Sequence, residues 1–272
     1  MTIISGCFAQ SDSIYIWPGK VPHSSKPKAA PVPITLDDGS IRVVEVTNPL
    51  LAVFEPKPSM KNGKAVLVCP GGGYIRLAVH KEGYTTANWL SGLGYTVFVL
   101  HYTVPGQKDG ALQDIQRSLR VIRHRAKDFQ IDTAHITAVG FSAGAHLVAR
   151  SAMKEGAPSY PSQDAADRLS SRPNQMMLIY PAYLNDAQND KLSPELKASS
   201  TTIRTFVFQT MDDTYSASAF AIASALHSEK TDVELHLMPK GGHGYGMTQG
   251  IEAAETWPRL AEAWLSRQGS EN

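Results

Sequence analysis

The chain has 272 residues, 42% of them hydrophobic and 19% charged, a balance that suits one α/β domain with a large buried core. With 26 Lys and Arg against 25 Asp and Glu, no global field recruits nucleic acid or an anionic membrane, so specificity has to come from a pocket. Two cysteines, Cys7 and Cys69, cannot build a disulfide framework, and no stretch is long and apolar enough to span a bilayer.

In chain order, Met1 to Gln10 is mildly apolar, with small residues at Ser5-Gly6-Cys7 and Ala9-Gln10. It resembles the tail end of a secretory signal, which leaves open a secreted or periplasmic location on the one hand and a cytoplasmic one on the other. Five prolines, at positions 18, 22, 27, 31 and 33, fix φ and remove backbone donors, which predicts an extended surface arm. Residues 1–33 are therefore set apart from a folded domain over 34–272. Ile41 to Val46 and Leu51 to Phe54 read as a strand pair, and Ala65 to Cys69 as a central strand ending in a small buried thiol. A helix over Thr85 to Leu93, a strand over Tyr95 to Tyr102 and a helix over Leu112 to Lys127 follow, the last with Leu112, Ile115, Leu119, Ile122 and Ala126 on one face. Ile136 to Val139 reads as a strand and Ala145 to Met153 as a helix, after which Glu155 to Asn174 is a polar loop. Strands over Met176 to Tyr180, Thr205 to Gln209 and Val233 to Met238 then alternate with helices over Ala217 to Leu226 and Ile251 to Leu265. Nearly continuous apolar strands alternating with helices predict a doubly wound, mostly parallel sheet with helices on both faces. Ligands of such sheets bind at the carboxyl ends of the strands.

Three local patterns fall at those ends. Gly140-Phe141-Ser142-Ala143-Gly144 joins an apolar strand to a helix, a sharp turn that aims the Ser142 hydroxyl outward. A serine hydroxyl is a poor nucleophile at neutral pH, so it needs a base and a carboxylate to orient that base. His243, in Gly241-Gly242-His243-Gly244 after the last strand, is the best candidate base, an exposed turn histidine being the alternative. Eight other histidines compete less well; His146 sits four residues past Ser142 and points away from the turn, while His80, near the glycine loop, is harder to dismiss. The loop after Thr205 to Gln209 offers two carboxylates, Asp212 and Asp213, only one of which can face His243. Pro70-Gly71-Gly72-Gly73-Tyr74 follows the central strand, where successive glycines let N–H groups converge on one point. The expected oxyanion donors are Ala143 with Gly72 or Gly73. The loop lacks the Gly-Lys-Ser/Thr ending of a phosphate loop, and no His-Glu-x-x-His or comparable metal-ligand spacing occurs, so neither a cofactor nor a metal is expected.

Taken together, Cys69 to Tyr74, Gly140 to Leu147, Tyr180-Pro181-Ala182-Tyr183 and Gly241 to Gly246 resemble the acetylxylan esterase or xylanase-like (BD-FAE-like) esterases, a group of α/β-hydrolases. The resemblance runs from about Trp17 to Trp264 and includes Ile16-Trp17-Pro18-Gly19-Lys20-Val21-Pro22. It implies an α/β-hydrolase fold without a large lid and a catalytic domain over residues 34–272. It also implies a serine carboxylesterase that removes small acyl groups, especially acetyl, from carbohydrate such as xylan. Loops of this type place the acid at Asp213, leaving Asp212 to cap the next helix or face water. Tyr74, Tyr183 and Tyr245 then either stack on a sugar or wall an acyl pocket, or are core aromatics at strand ends. A general short-chain or feruloyl esterase is the alternative activity, and a carbohydrate-binding protein without turnover the alternative of another class. An ester substrate is the expected partner, with no nucleic acid or membrane, and the oligomeric state is open.

Overall fold

The computed structural model describes residues 10, 12–154, 159–199 and 201–267. Cys7 and nearly all of the segment read as a signal remnant lie outside the described residues. Ten strands run β1 (Asp12–Tyr15), β2 (Val32–Thr35), β3 (Ile41–Glu45), β4 (Leu50–Phe54), β5 (Ala65–Cys69), β6 (Thr96–His101), β7 (Ile136–Phe141), β8 (Gln175–Ile179), β9 (Thr205–Thr210) and β10 (Val233–Met238). The α-helices are α1 (Thr85–Gly92), α2 (Lys108–His124), α3 (Ala126–Phe129), α4 (Ala143–Met153), α5 (Ala217–Ser228) and α6 (Glu252–Ser266).

Eight strands form one sheet in the order β1-β4-β6-β5-β7-β8-β9-β10. From β6 to β10 the pairs are parallel, and β4 and β1 extend the β6 side antiparallel. Strand side chains alternate between faces. On β5, Leu67 and Cys69 join the core with residues of α2, α4 and α5, while Val66 and Val68 join the opposite core with residues of α1 and α6. Both faces are therefore dry, which is why the central strands read as unbroken apolar runs. Cys69 is buried, and burial pushes its thiol far above the ordinary cysteine range.

The expected pairing of 41–46 with 51–54 does not occur. β4 buries all five of its residues and lies between β1 and β6. β3 buries only Val43 and pairs instead with β2 in a separate two-stranded ribbon. A strand apolar on both faces needs cover on both, which the large sheet supplies, whereas half-buried β3 suits a ribbon lying over the domain. The ribbon is anchored by two hydrogen bonds, Val43 N–H to Leu77 O at 3.0 Å and Leu77 N–H to Val43 O at 2.7 Å. This places β3 beside the segment that follows the glycine loop. Residues 18–33 are mostly exposed and irregular, but Ile16, Trp17 and Val21 enter the core. The connection 180–204 carries no helix or strand among its described residues.

Candidate active site

Ser142 occupies the bend between β7 and α4 with φ of 53° and ψ of −119°. A non-glycine residue at positive φ costs on the order of 1–3 kcal/mol and persists only when its surroundings fix it. Here Ser142 N–H donates to Ile179 O at 3.1 Å, and Ser142 O accepts from Ala145 and His146 N–H at 3.0 and 3.2 Å. The flanking glycines are required by space. A Cβ at Gly140 would lie 2.3 Å from Gly144 O, and one at Gly144 would lie 2.0 Å from Cys69 O. The tight approach of α4 to β5 and β7 lifts the Ser142 side chain above the strand ends.

There the Ser142 hydroxyl donates to His243 Nε2 at 2.7 Å, and His243 Nδ1–H donates to Asp213 Oδ2 at 2.7 Å. The Asp213 carboxylate is fully buried, whereas the His243 ring is 28% exposed. Asp213 Oδ1 also accepts the Tyr215 N–H at 2.8 Å, which fixes its orientation. Asp212, expected to cap a helix or face water, is exposed to water and also accepts from the N–H groups of Gly242 at 2.9 Å and Gly241 at 3.2 Å. Those bonds hold its carboxyl below the usual carboxylate range and brace the loop that carries His243. The adjacent aspartates thus do different work: one orients the ring, the other its backbone.

Across from His243 lies the glycine loop. Gly72 has φ of 128°, and a Cβ there would meet Arg76 O at 2.1 Å, because the chain doubles back with Ile75 and Arg76 N–H both donating to Gly72 O. Among the described residues the N–H groups of Gly72, Gly73 and Ala143 enter no hydrogen bond. They are three unengaged donors near the Ser142 hydroxyl. A cavity of about 310 Å³ is lined by Ser142, His243, Gly72, Gly73, Tyr183 and Tyr215. Among the described residues no group of three or more His, Cys, Asp or Glu side chains is placed to hold a metal ion, and no helix is long and apolar enough to cross a membrane.

The BD-FAE family model matches residues 51–179. Endo-1,4-beta-xylanase B of Butyrivibrio fibrisolvens is 31% identical over 210 residues, which cover 66% of this chain and 32% of the xylanase. Acetylxylan esterase of Xylanibacter ruminicola is 36% identical over 91 residues, covering 33% of this chain and 19% of that enzyme. The chain thus matches about a third or less of the length of these curated relatives. In structure it is similar to the acetyl ester-xyloside bifunctional hydrolase of Caldicellulosiruptor lactoaceticus, with a TM-score of 0.72, 27% identity, and coverage of 90% of this chain and 98% of that one. The chain has the α/β-hydrolase fold.

Of the three tyrosines considered for substrate contacts, only Tyr183 lines the cavity. Tyr74 and Tyr245 are 1% and 3% exposed and take the core alternative. Tyr74 bonds His146 Nδ1 at 2.8 Å, and Tyr245 packs edge-on against Tyr180 with centroids 4.4 Å apart. Tyr215, passed over in sequence, faces the cavity with its ring centroid 4.9 Å from that of His243. Its signal was its place two residues after Asp213.

His146 is wholly buried behind Ser142, bonded through Nε2 to Glu195 Oε1 at 2.9 Å as well as to Tyr74. Burial holds its pKa below the ordinary histidine value, against the pull of Glu195. His80 accepts the Ile41 N–H at 3.3 Å and borders a separate hollow with Asp38 and Lys81.

Sequence reasoning also missed Glu82, on the π-helical turn Val79–Tyr84. Its Oε2 accepts Gly71 N–H at 2.6 Å and its Oε1 accepts the Tyr180 hydroxyl at 2.8 Å. The Tyr180 oxygen in turn accepts Gly246 N–H at 3.0 Å, and the Tyr180 ring lies edge-on to His243 at 5.2 Å. One buried carboxyl therefore ties the glycine loop to the histidine loop. Burial pushes its pKa up, while the two donors favour the charged form. No local pattern marks Glu82, because its partners are 11 and 98 residues away.

Proposed function

We propose that the protein is a serine carboxylesterase that removes small acyl groups, acetyl foremost, from carbohydrate esters such as acetylated xylan. The observation that carries this reading is the relay from Ser142 through His243 to Asp213, with both links at 2.7 Å, facing three unengaged N–H donors. His243 takes the hydroxyl proton as Ser142 Oγ attacks the ester carbonyl, and Asp213 stabilises the imidazolium. Ala143 with Gly72 or Gly73 donates to the oxyanion, a contact worth about 3 kcal/mol per donor in comparable sites. His243 then protonates the leaving alcohol, and water repeats the sequence on the acyl-enzyme, releasing the acid and restoring Ser142.

The acyl and sugar preference draws support from two of the proteins it resembles, an acetylxylan esterase and an acetyl ester-xyloside bifunctional hydrolase. A cavity of about 310 Å³ suits a short acyl chain and one sugar residue rather than a long lipid. Acetate release from acetylated xylan and from 4-nitrophenyl acetate tests both reaction and substrate. Ser142→Ala should lose roughly a million-fold in kcat with both esters. Equal turnover by the variant contradicts the serine mechanism, and turnover of the simple ester alone contradicts the xylan assignment.

A further inference from the structure

Resting on the esterase reading above, one wall of the same cavity bears on which esters enter. Arg42, Arg76 and Lys81 all line it, and the one acidic side chain among the lining residues is Glu82. That carboxyl is 4% exposed and has both oxygens engaged, by Gly71 N–H and by the Tyr180 hydroxyl. It pairs with none of the three cations. Lys81 is held at 2.8 Å by Asp38, whose carboxyl drops well below its usual range in response. Asp212 and Asp213, the remaining carboxylates of the site, are committed to the loop N–H groups and to His243. Among the described residues neither the Arg42 nor the Arg76 guanidinium makes an ion pair or a hydrogen bond.

The fold sets these two arginines together. The Val43–Leu77 bridge brings β3 antiparallel to the segment after the glycine loop. In that register Arg42 falls opposite Ala78, while Arg76 sits on the bend just before the bridge. All three line the cavity. Arg42 thus comes from a ribbon outside the main sheet, and its placement beside Ser142 is a consequence of the ribbon's docking. Arg42 stands near enough to Glu82 to favour its charged form, but neither guanidinium is in salt-bridge contact with a carboxylate among the described residues. Two guanidiniums with ten N–H donors between them, lining the cavity of Ser142, form a receptor for an oxyanion.

We propose that the preferred substrates are esters carrying a carboxylate close to the scissile bond, which Arg42 and Arg76 bind. The carboxylate has two possible sources: the sugar, as in an acetylated uronic acid glycoside, or the acyl group, as in the half-ester of a dicarboxylic acid. The experiment compares two matched pairs, acetylated methyl glucuronoside against acetylated methyl glucoside, and mono-4-nitrophenyl succinate against 4-nitrophenyl butyrate. In the full-length protein, kcat/KM should favour the anionic member of one pair by about tenfold at low salt. The pair that shows the preference names the source. Raising the salt from about 0.05 to about 0.5 M should shrink the ratio, since exposed charges are screened.

Arg42→Gln and Arg76→Gln should each move the ratio toward one, mainly through KM, and Arg76 is exposed, so its variant does not depend on refolding the ribbon. Arg168→Gln, which removes a charge away from the cavity, should leave the ratio where it was. A ratio near one in both pairs while the neutral esters turn over overturns this inference and leaves the esterase reading intact. A preference that survives both arginine variants also overturns it. Failure to turn over any of the four esters sinks the esterase reading, and the inference with it.

Discussion

Two histidine–carboxylate pairs flank Ser142, and they are inverted copies of each other in burial. In the His243–Asp213 pair the carboxylate is fully buried and the ring is 28% exposed, so the ring faces the cavity and the charge stands behind it. In the His146–Glu195 pair the ring is wholly buried and the carboxylate is 42% exposed. The bond lengths, 2.7 and 2.9 Å, barely distinguish them. The two pairs differ in which member meets solvent and in what lies at the ring's far nitrogen. His243 has Ser142 there, whereas His146 has the Tyr74 hydroxyl and Glu195 on its two nitrogens.

The comparison breaks first at Asp213. Asp213→Asn leaves a neutral group of the same shape, so kcat should fall about ten-thousand-fold with 4-nitrophenyl acetate, because the ring loses its tautomer and its imidazolium its counter-charge. A fall under about tenfold means the carboxylate does not orient the base.

Acid unfolding comes next. Burial keeps the His146 and His101 rings neutral, His101 with its pKa lowered to about 4. Unfolded histidines titrate near about 6.5, so between those values the unfolded chain binds more protons and the folded state loses stability as pH falls. Above about 6.5 that contribution is fully present, and near pH 4 about 3 kcal/mol of it is gone for His101. His101→Gln should therefore show a shallower loss of Tm between pH 7 and pH 4.5 than the parent, and parallel curves contradict the assignment.

Smaller still is the effect of Glu82→Gln. The variant keeps the volume but puts an amide where two acceptor oxygens now hold Gly71 N–H and the Tyr180 hydroxyl. Loosening the glycine loop should lower kcat about tenfold with KM little changed, since the contact matters most as the oxyanion forms. An unchanged kcat means the loops are fixed without it. Smallest of all, Glu195→Gln should change kcat/KM less than about threefold. A thousand-fold loss there would erase the distinction between the two pairs.

How legible these features were follows from how local their causes are. Gly140 and Gly144 are dictated by atoms a few residues away or on the neighbouring strand, so the turn around Ser142 is written in five consecutive residues. Nearly continuous apolar runs mark β5 to β9, because strands covered on both faces have no solvent-facing side to show. The roles of Asp212 and of the tyrosines were less readable, since a strand-end aromatic looks the same whether it faces a cavity or a core. Tyr74 and Tyr183 both meet the His146 ring of α4 edge-on, at 5.8 and 5.9 Å, yet only Tyr183 reaches the cavity. Glu82, Arg42 and the β2–β3 ribbon were hidden for another reason. Their placement depends on the Val43–Leu77 bridge and on contacts spanning up to 98 residues, for which no periodicity or motif exists.

The central claim is that Ser142 is the nucleophile and His243 its base, and covalent labelling tests it directly. The protein is incubated with a fluorophosphonate, digested, and its peptides weighed by mass spectrometry alongside His243→Ala. A stoichiometric adduct on the peptide carrying Ser142, formed in parallel with loss of esterase activity and slowed at least a thousand-fold in the variant, is the expected result. An unlabelled Ser142 in a protein whose activity is nonetheless abolished, or an adduct on another residue, contradicts the account.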